Sequence, residues 1–207
     1  MKKLVLISVL VGFIVMPVLA VPDIEFSPGG VFPGRWYYDG AGTFTFNQII
    51  DVDKGLGNPG DALVGAWVHI PQLSVSGIPG GPYTLMPVTG TIVITDSTGV
   101  FTYLVGTLGS GDLYPLGTGA LAYPAFQVDI TNITVYNPIG SAALATIDGH
   151  PLDFELTLNG ATGGFQNMLD NGLSRSDGFS GAMTVIPEPT TILLFTLGGL
   201  VLRKSQR

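Results

Sequence analysis

The chain has 207 residues, no cysteine, and 11% charged residues against 46% hydrophobic ones, with 30 Gly and 15 Pro. The missing cysteines exclude disulfides, thiolate nucleophiles and every Cys-based zinc or iron–sulfur site, while abundant Gly and Pro with few Lys, Glu and Arg favour many short strands over helices. Residues 21 to 186 keep only Arg35, Lys54 and Arg175 against 14 acidic side chains, a balance that repels phosphate backbones and argues against nucleic acid as a partner.

Residues 1 to 20 carry Lys2 and Lys3, an apolar run from Leu4 to Met16, and the small-residue site Val18-Leu19-Ala20. That order is the pattern of a secretory signal peptide, with cleavage expected between Ala20 and Val21. The run is too short for the roughly 20 apolar residues that a spanning helix needs.

Trp36, Tyr37 and Tyr38 cluster next, beside Arg35. Exposed aromatics on a β domain can stack on sugar rings, so the cluster is a candidate carbohydrate site, with core packing as the alternative fate of such residues. Thr43 to Phe46 alternates with period two and leads into Ile49 and Ile50. The turn that follows, Asp51-x-Asp53-x-Gly55-x-Gly57-Asn58-x-x-Asp61, gathers oxygen ligands of the kind calcium takes. It lacks the closing Glu and the Gly at the sixth position of an EF-hand loop, so Asp51, Asp53 and Asp61 stand as a candidate calcium site against a solvated acidic turn.

Leu63 to Ile70, Thr91 to Thr95 and Val100 to Val105 read as strands, the last two joined through Asp96-Ser97-Thr98-Gly99 as a hairpin. Phe126, Val128 and Ile130 share one face before the apolar phase shifts to Ile133 and Val135, which predicts a bulge near Thr131 and Asn132. Ala142 to Ile147 and Phe179 to Ile186 are taken as further strands. Leu152, Phe154, Leu156 and Leu158 alternate with Asp153, Glu155 and Thr157, the clearest half-buried strand in the chain. Gly160 to Asp177 lacks β pattern and reads as a surface loop, with room for one helical turn at Phe165 to Leu169. These elements predict an all-β fold, a single antiparallel sandwich or barrel-like domain over 21–186.

Catalytic motifs are sparse. Asp153 and Glu155 share a strand face after the turn containing Asp148 and His150, and paired carboxylates serve glycoside hydrolysis when held about 5 to 9.5 Å apart across a sugar. The wet side of a sheet is the commoner explanation. His69 and His150 have no HxH or HExxH partner, and no Ser stands in a G-x-S-x-G elbow, so the expected domain is non-catalytic.

The C-terminal segment, 187–207, joins Pro187-Glu188-Pro189 to an apolar run from Thr190 to Leu202 and a basic end, Arg203, Lys204 and Arg207. The prolines stop any element arriving from Ile186, the run makes a short hydrophobic helix, and the basic end stays cytoplasmic. With Thr191, Gly198 and Gly199 also in place, this segment resembles the PEP-CTERM sorting domain. The resemblance implies export, transient anchoring in the inner membrane by a transmembrane helix, removal of the tail by an exosortase-type enzyme, and delivery to the cell surface or extracellular matrix. It further implies association with exopolysaccharide and biofilm. The rival expectation is a secreted carbohydrate-binding or carbohydrate-active protein that uses exposed aromatics or the acidic pair.

Overall fold

The computed structural model describes residues 23–28, 35–47, 49–80, 82–116, 123–159 and 164–186. The signal segment, the Ala20/Val21 junction and the tail from Pro187 onward, with the two flanking helices expected there, lie outside the described residues.

Along the chain, β1 (Ile24–Pro28) and β2 (Arg35–Tyr38) are followed by β3 (Thr43–Asn47), β4 (Ile50–Gly55), β5 (Trp67–His69) and β6 (Leu73–Gly77). Next come β7 (Tyr83–Pro87), β8 (Thr91–Thr95), β9 (Thr102–Leu108), β10 (Gly111–Leu116) and the long β11 (Tyr123–Val135). Helix α1 (Ala142–Ile147), β12 (Leu152–Leu158), helix α2 (Phe165–Asp170), β13 (Arg175–Asp177) and β14 (Phe179–Val185) complete the described chain.

The strands run β12-β14-β1-β4-β5-β8-β9-β11, and β11 pairs back onto β12, closing an eight-strand antiparallel barrel. The spacing of short strands allowed a sandwich or a barrel, and the return of β11 to β12 makes it a barrel. The other six strands repeat this neighbour order. β13-β2-β3-β6-β7-β10 lie side by side as β14-β1-β4-β5-β8-β9 do, each close in sequence to its counterpart. Among the described residues the fourteen segments therefore form eight tracks in up-and-down order, six of them made of two strands each. Closure satisfies the ladder groups that an open sheet would leave bare at its edges.

Alternation fills the barrel. Leu152, Phe154, Leu156 and Leu158 are fully buried while Asp153, Glu155 and Thr157 face outward. Phe26 and Phe154 stack with centroids 5.8 Å apart, and Phe126 meets Phe154 edge-on at 6.2 Å. Two glycines make room for such bulk: a Cβ at Gly181 would overlap the Phe26 ring, and one at Gly106 would overlap the Ile130 side chain. The predicted bulge falls where expected, with the β9–β11 register shifting between Thr131 and Thr134 and Asn132 at φ 52°.

Three readings of local structure are corrected. Within Leu63 to Ile70 only Trp67–His69 is strand, because Asp61 to Ala66 is folded into turns by bonds from Val64 N–H to the Asp61 carbonyl and Ala66 N–H to the Leu63 carbonyl. Ala142–Ile147 is a helix, not a strand. Its apolar run fits either period, and Ser141 decides the matter by capping it, the Leu144 N–H donating to Ser141 Oγ at 3.1 Å. Phe165–Asp170 is likewise helical, and it is no surface loop: Phe165, Met168 and Leu169 are buried.

The two helices close opposite mouths. At one, α1 turns Ala143, Leu144 and Ile147 inward, beside the start of β1, the end of β14 and the β4–β5 and β8–β9 connections. At the other, α2 inserts Phe165 against Trp36 and Phe44, with centroids at 5.5 and 5.8 Å. There Asp170 accepts from Tyr83 Oη at 2.7 Å and Gly80 N–H at 3.0 Å, which ties the helix to the β6–β7 turn.

Candidate functional site

The three candidate calcium ligands are not gathered. Asp51 and Asp53 lie on β4, the first half-buried and the second exposed. Burial and the neighbouring negative charge of Asp53 push the Asp51 carboxyl up, partly offset by a hydrogen bond from Trp67. Asp61 points elsewhere: its Oδ1 accepts from Ser141 Oγ at 2.6 Å and Leu63 N–H at 2.9 Å, and its Oδ2 from Ala142 N–H at 3.0 Å and Ala143 N–H at 3.4 Å. Burial pushes this carboxyl up, but the four donors outweigh it and hold it below the ordinary range. Its lone pairs are committed to holding α1 on the β4–β5 connection. Among the described residues no three His, Asp or Glu side chains come together in a way that would hold a metal.

The aromatic triplet is split by strand alternation. Trp36 and Tyr38 face the core, at 0% and 4% exposure, and Tyr37 faces solvent at 45%. Trp36 also donates from Nε1 to the Asn159 carbonyl at 3.2 Å. A sugar platform on this strand has one ring to offer, Tyr37.

Asp153 and Glu155 stand on the outer wall of the barrel. Glu155 pairs across the sheet with Gln127 on one side and Ala182 on the other, and Ala182 with Glu25. The small Ala182 between the two glutamates leaves a shallow depression of about 310 Å³ that also meets Asp53. Glu25 is engaged by Lys54 Nζ at 2.8 Å, and Asp153 accepts from Gln127 Nε2 at 2.6 Å. Neighbouring strands lie about 4.8 Å apart, so Glu25 and Glu155 backbones are roughly 10 Å apart on a convex wall. Asp153 and Glu155 themselves stand two residues apart on the outward face of β12.

Sequence reasoning missed Trp67. Among the described residues β3 pairs with β6 at Thr43 and Phe44, and β4 pairs with β5 at Asp51. Between these points the wall carries a groove of about 430 Å³ lined by Phe46, Ile49, Trp67 and His69 together with buried Ile50, Val68 and Ile70. His69 Nε2 lies 2.8 Å from Thr95 Oγ1, and burial draws the imidazole pKa down. The alternation Trp67-Val68-His69 in the sequence is the signal that puts both rings on the outer side.

Both ends of the described chain are fastened at the α1 mouth. The Asp23 N–H donates to the Met183 carbonyl at 2.9 Å, the Asp23 carbonyl accepts from Leu56 N–H at 2.7 Å, and its carboxylate accepts from Val185 N–H at 2.6 Å. Asp23 is 5% exposed, and burial raises its pKa despite the Val185 bond. The Ile186 N–H donates to the Pro151 carbonyl at 3.0 Å, one residue before Pro187.

No family model, curated protein or solved structure matches this chain. Among the described residues no helix is long and apolar enough to cross a membrane.

Proposed function

We propose that the chain is an exported protein whose N-terminal signal is removed at Ala20/Val21, whose tail holds it briefly in the inner membrane, and whose β-barrel is released to the cell surface or extracellular matrix. The barrel is a non-catalytic cargo. Its route requires the secretion machinery, a signal peptidase and an exosortase-type enzyme acting near Pro187-Glu188-Pro189, and its surroundings after release are exopolysaccharide. One observation carries this reading. β14 ends at Val185, and Pro187-Glu188-Pro189, the apolar run and the basic end follow at once in the sequence, in the order that a sorting tail takes.

Mass spectrometry of both termini, on protein recovered from a host that has the sorting enzyme, tests the route. The released form should begin at Val21 and lack the apolar run from Thr190 to Leu202. Replacing Pro187, Glu188 and Pro189 with Ala should trap the full-length chain in the membrane fraction. Wild-type protein that stays there uncut in the same host refutes the sorting reading.

A second reading, carbohydrate binding by the barrel wall, draws on the groove that Trp67 and His69 border. An aromatic face beside hydrogen-bonding groups suits a saccharide. A glycan array probed with wild type and Trp67→Ala separates it from the cargo reading, since only a groove ligand loses binding in the variant.

A further inference from the structure

Among the described residues, several exposed large apolar side chains gather at one mouth of the barrel. The α1 mouth carries Leu56 and Val64 on the β4–β5 connection, Val100 and Phe101 on the β8–β9 hairpin, and Tyr136 just past β11, the last three at 71%, 64% and 65% exposure. Val100 and Phe101 are consecutive, and Tyr136 lies on the neighbouring segment, its N–H donating to the Tyr103 carbonyl two residues from Phe101. The hairpin tip is stiff: the Asp96 carboxylate accepts from Val100 and Phe101 N–H, both at 2.8 Å, and from Thr98 Oγ1, so the apolar pair is held outward on a built turn.

This mouth is also where the chain leaves toward its C-terminal tail. Val185 pairs with Leu152, Leu152 with Ile130 and Ile130 with Leu108, which sets the end of β14 level with Leu108. β9 and its hairpin continue from there past Thr102, while the other way round the barrel Thr102 is level, through Thr95 and Trp67, with Asp51, short of the Gly55 that pairs with Ile24; shared over the tilted strands, these offsets leave the tip beyond the exit point by on the order of 10 Å. Three residues separate Ile186 from the first apolar tail residue, Thr190, and the four Cα–Cα steps between them can reach at most about 14 Å. The hairpin tip and the start of the apolar run are thus available to the same plane.

We infer that the β8–β9 hairpin, through Val100 and Phe101 with Tyr136 beside them, inserts into the outer face of the bilayer that the tail occupies, seating the α1 mouth on the lipid. The partner is a zwitterionic phospholipid surface. Residues 21 to 186 hold 14 acidic side chains against three basic ones, and Asp96 sits at the tip itself, so anionic headgroups are repelled and the contact is made by apolar area. The inference rests on the tail acting as a membrane segment.

The chain has no cysteine, so single labels are unambiguous. Full-length Val100→Cys and Ile78→Cys, the latter exposed on the β6–β7 turn at the opposite mouth, are each labelled with an environment-sensitive fluorophore and reconstituted into phosphatidylcholine vesicles containing a nitroxide lipid. The label at 100 should shift to the blue and be quenched several-fold more than the label at 78. Adding Phe101→Asp to the Val100→Cys chain should relieve that quenching while the protein still floats with the vesicles. Equal quenching at 100 and 78 in protein that floats overturns the inference and leaves the tail reading standing. Protein that does not float with vesicles refutes the tail reading and the inference together.

Discussion

Replacing Asp61 by Ala tests whether this carboxylate holds a helix or waits for a cation. The substitution removes acceptors for Ser141 Oγ and for the N–H groups of Leu63, Ala142 and Ala143. Hydrogen bonds to a charged acceptor contribute about 1.5–3 kcal/mol each when buried, but this site is half-exposed and water can replace part of the set, so a net loss of about 2–3 kcal/mol is expected. For a domain of this size each kcal/mol moves Tm by about 2–4 °C, giving a fall of roughly 4–12 °C by circular dichroism. The pH dependence follows from the lowered pKa of Asp61 in the folded state. Stability from the carboxylate is present above the unfolded value, near 3.9, and is lost as pH falls through the folded value. The gap between wild type and Asp61→Asn should therefore be full at pH 7 and shrink in strong acid. Millimolar calcium should leave the wild-type Tm unchanged. A Tm within a degree or two of wild type for Asp61→Ala, or a calcium-dependent rise that Asp61→Asn abolishes, would refute the helix-holding assignment.

Gly181→Ala places a methyl group against the Phe26 ring and 2.8 Å from the Glu155 carbonyl, so chemical denaturation should show a loss of about 1–3 kcal/mol, partly restored by Phe26→Leu. Asp23→Asn keeps an acceptor for Val185 N–H and removes a buried charge. Because the folded pKa of Asp23 is raised, wild type gains stability relative to this variant as pH falls from neutral through that value, so the variant should match or exceed wild-type Tm at pH 7 and lose the advantage near pH 4. Tyr83, buried and bonded to Asp170, has its phenol pushed up to about 12. Ultraviolet titration should show late tyrosine ionisation that Tyr83→Phe reduces, at a stability loss of about 0.5–1.5 kcal/mol.

The period-two pattern was enough to place β3, β8 and β12 and, in β12, to fix which side chains face inward, since alternation in a strand is set by the backbone itself. The bulge at Asn132 was legible for the same reason, as a change of apolar phase. Composition also determined the acidic, cysteine-free character of the domain. Short apolar runs were not legible: Ala142–Ile147 fits both periods, and the choice of helix came from Ser141 as a cap and from Asp61, 80 residues away.

Tertiary structure alone decided the fates of the candidate residues. Proximity in sequence grouped Asp61 with Asp51 and Asp53, yet a carboxylate goes where unsatisfied N–H donors gather, and the start of α1 supplied three of its four donors. Trp36 and Tyr38 were drawn inward because Phe165 on α2 completes an apolar cluster that the strand sequence does not contain. Closure of the barrel, which rests on the first strand, β1, pairing with the last, β14, is a long-range property that no local window carries. That pairing also sets both ends of the described chain at one mouth.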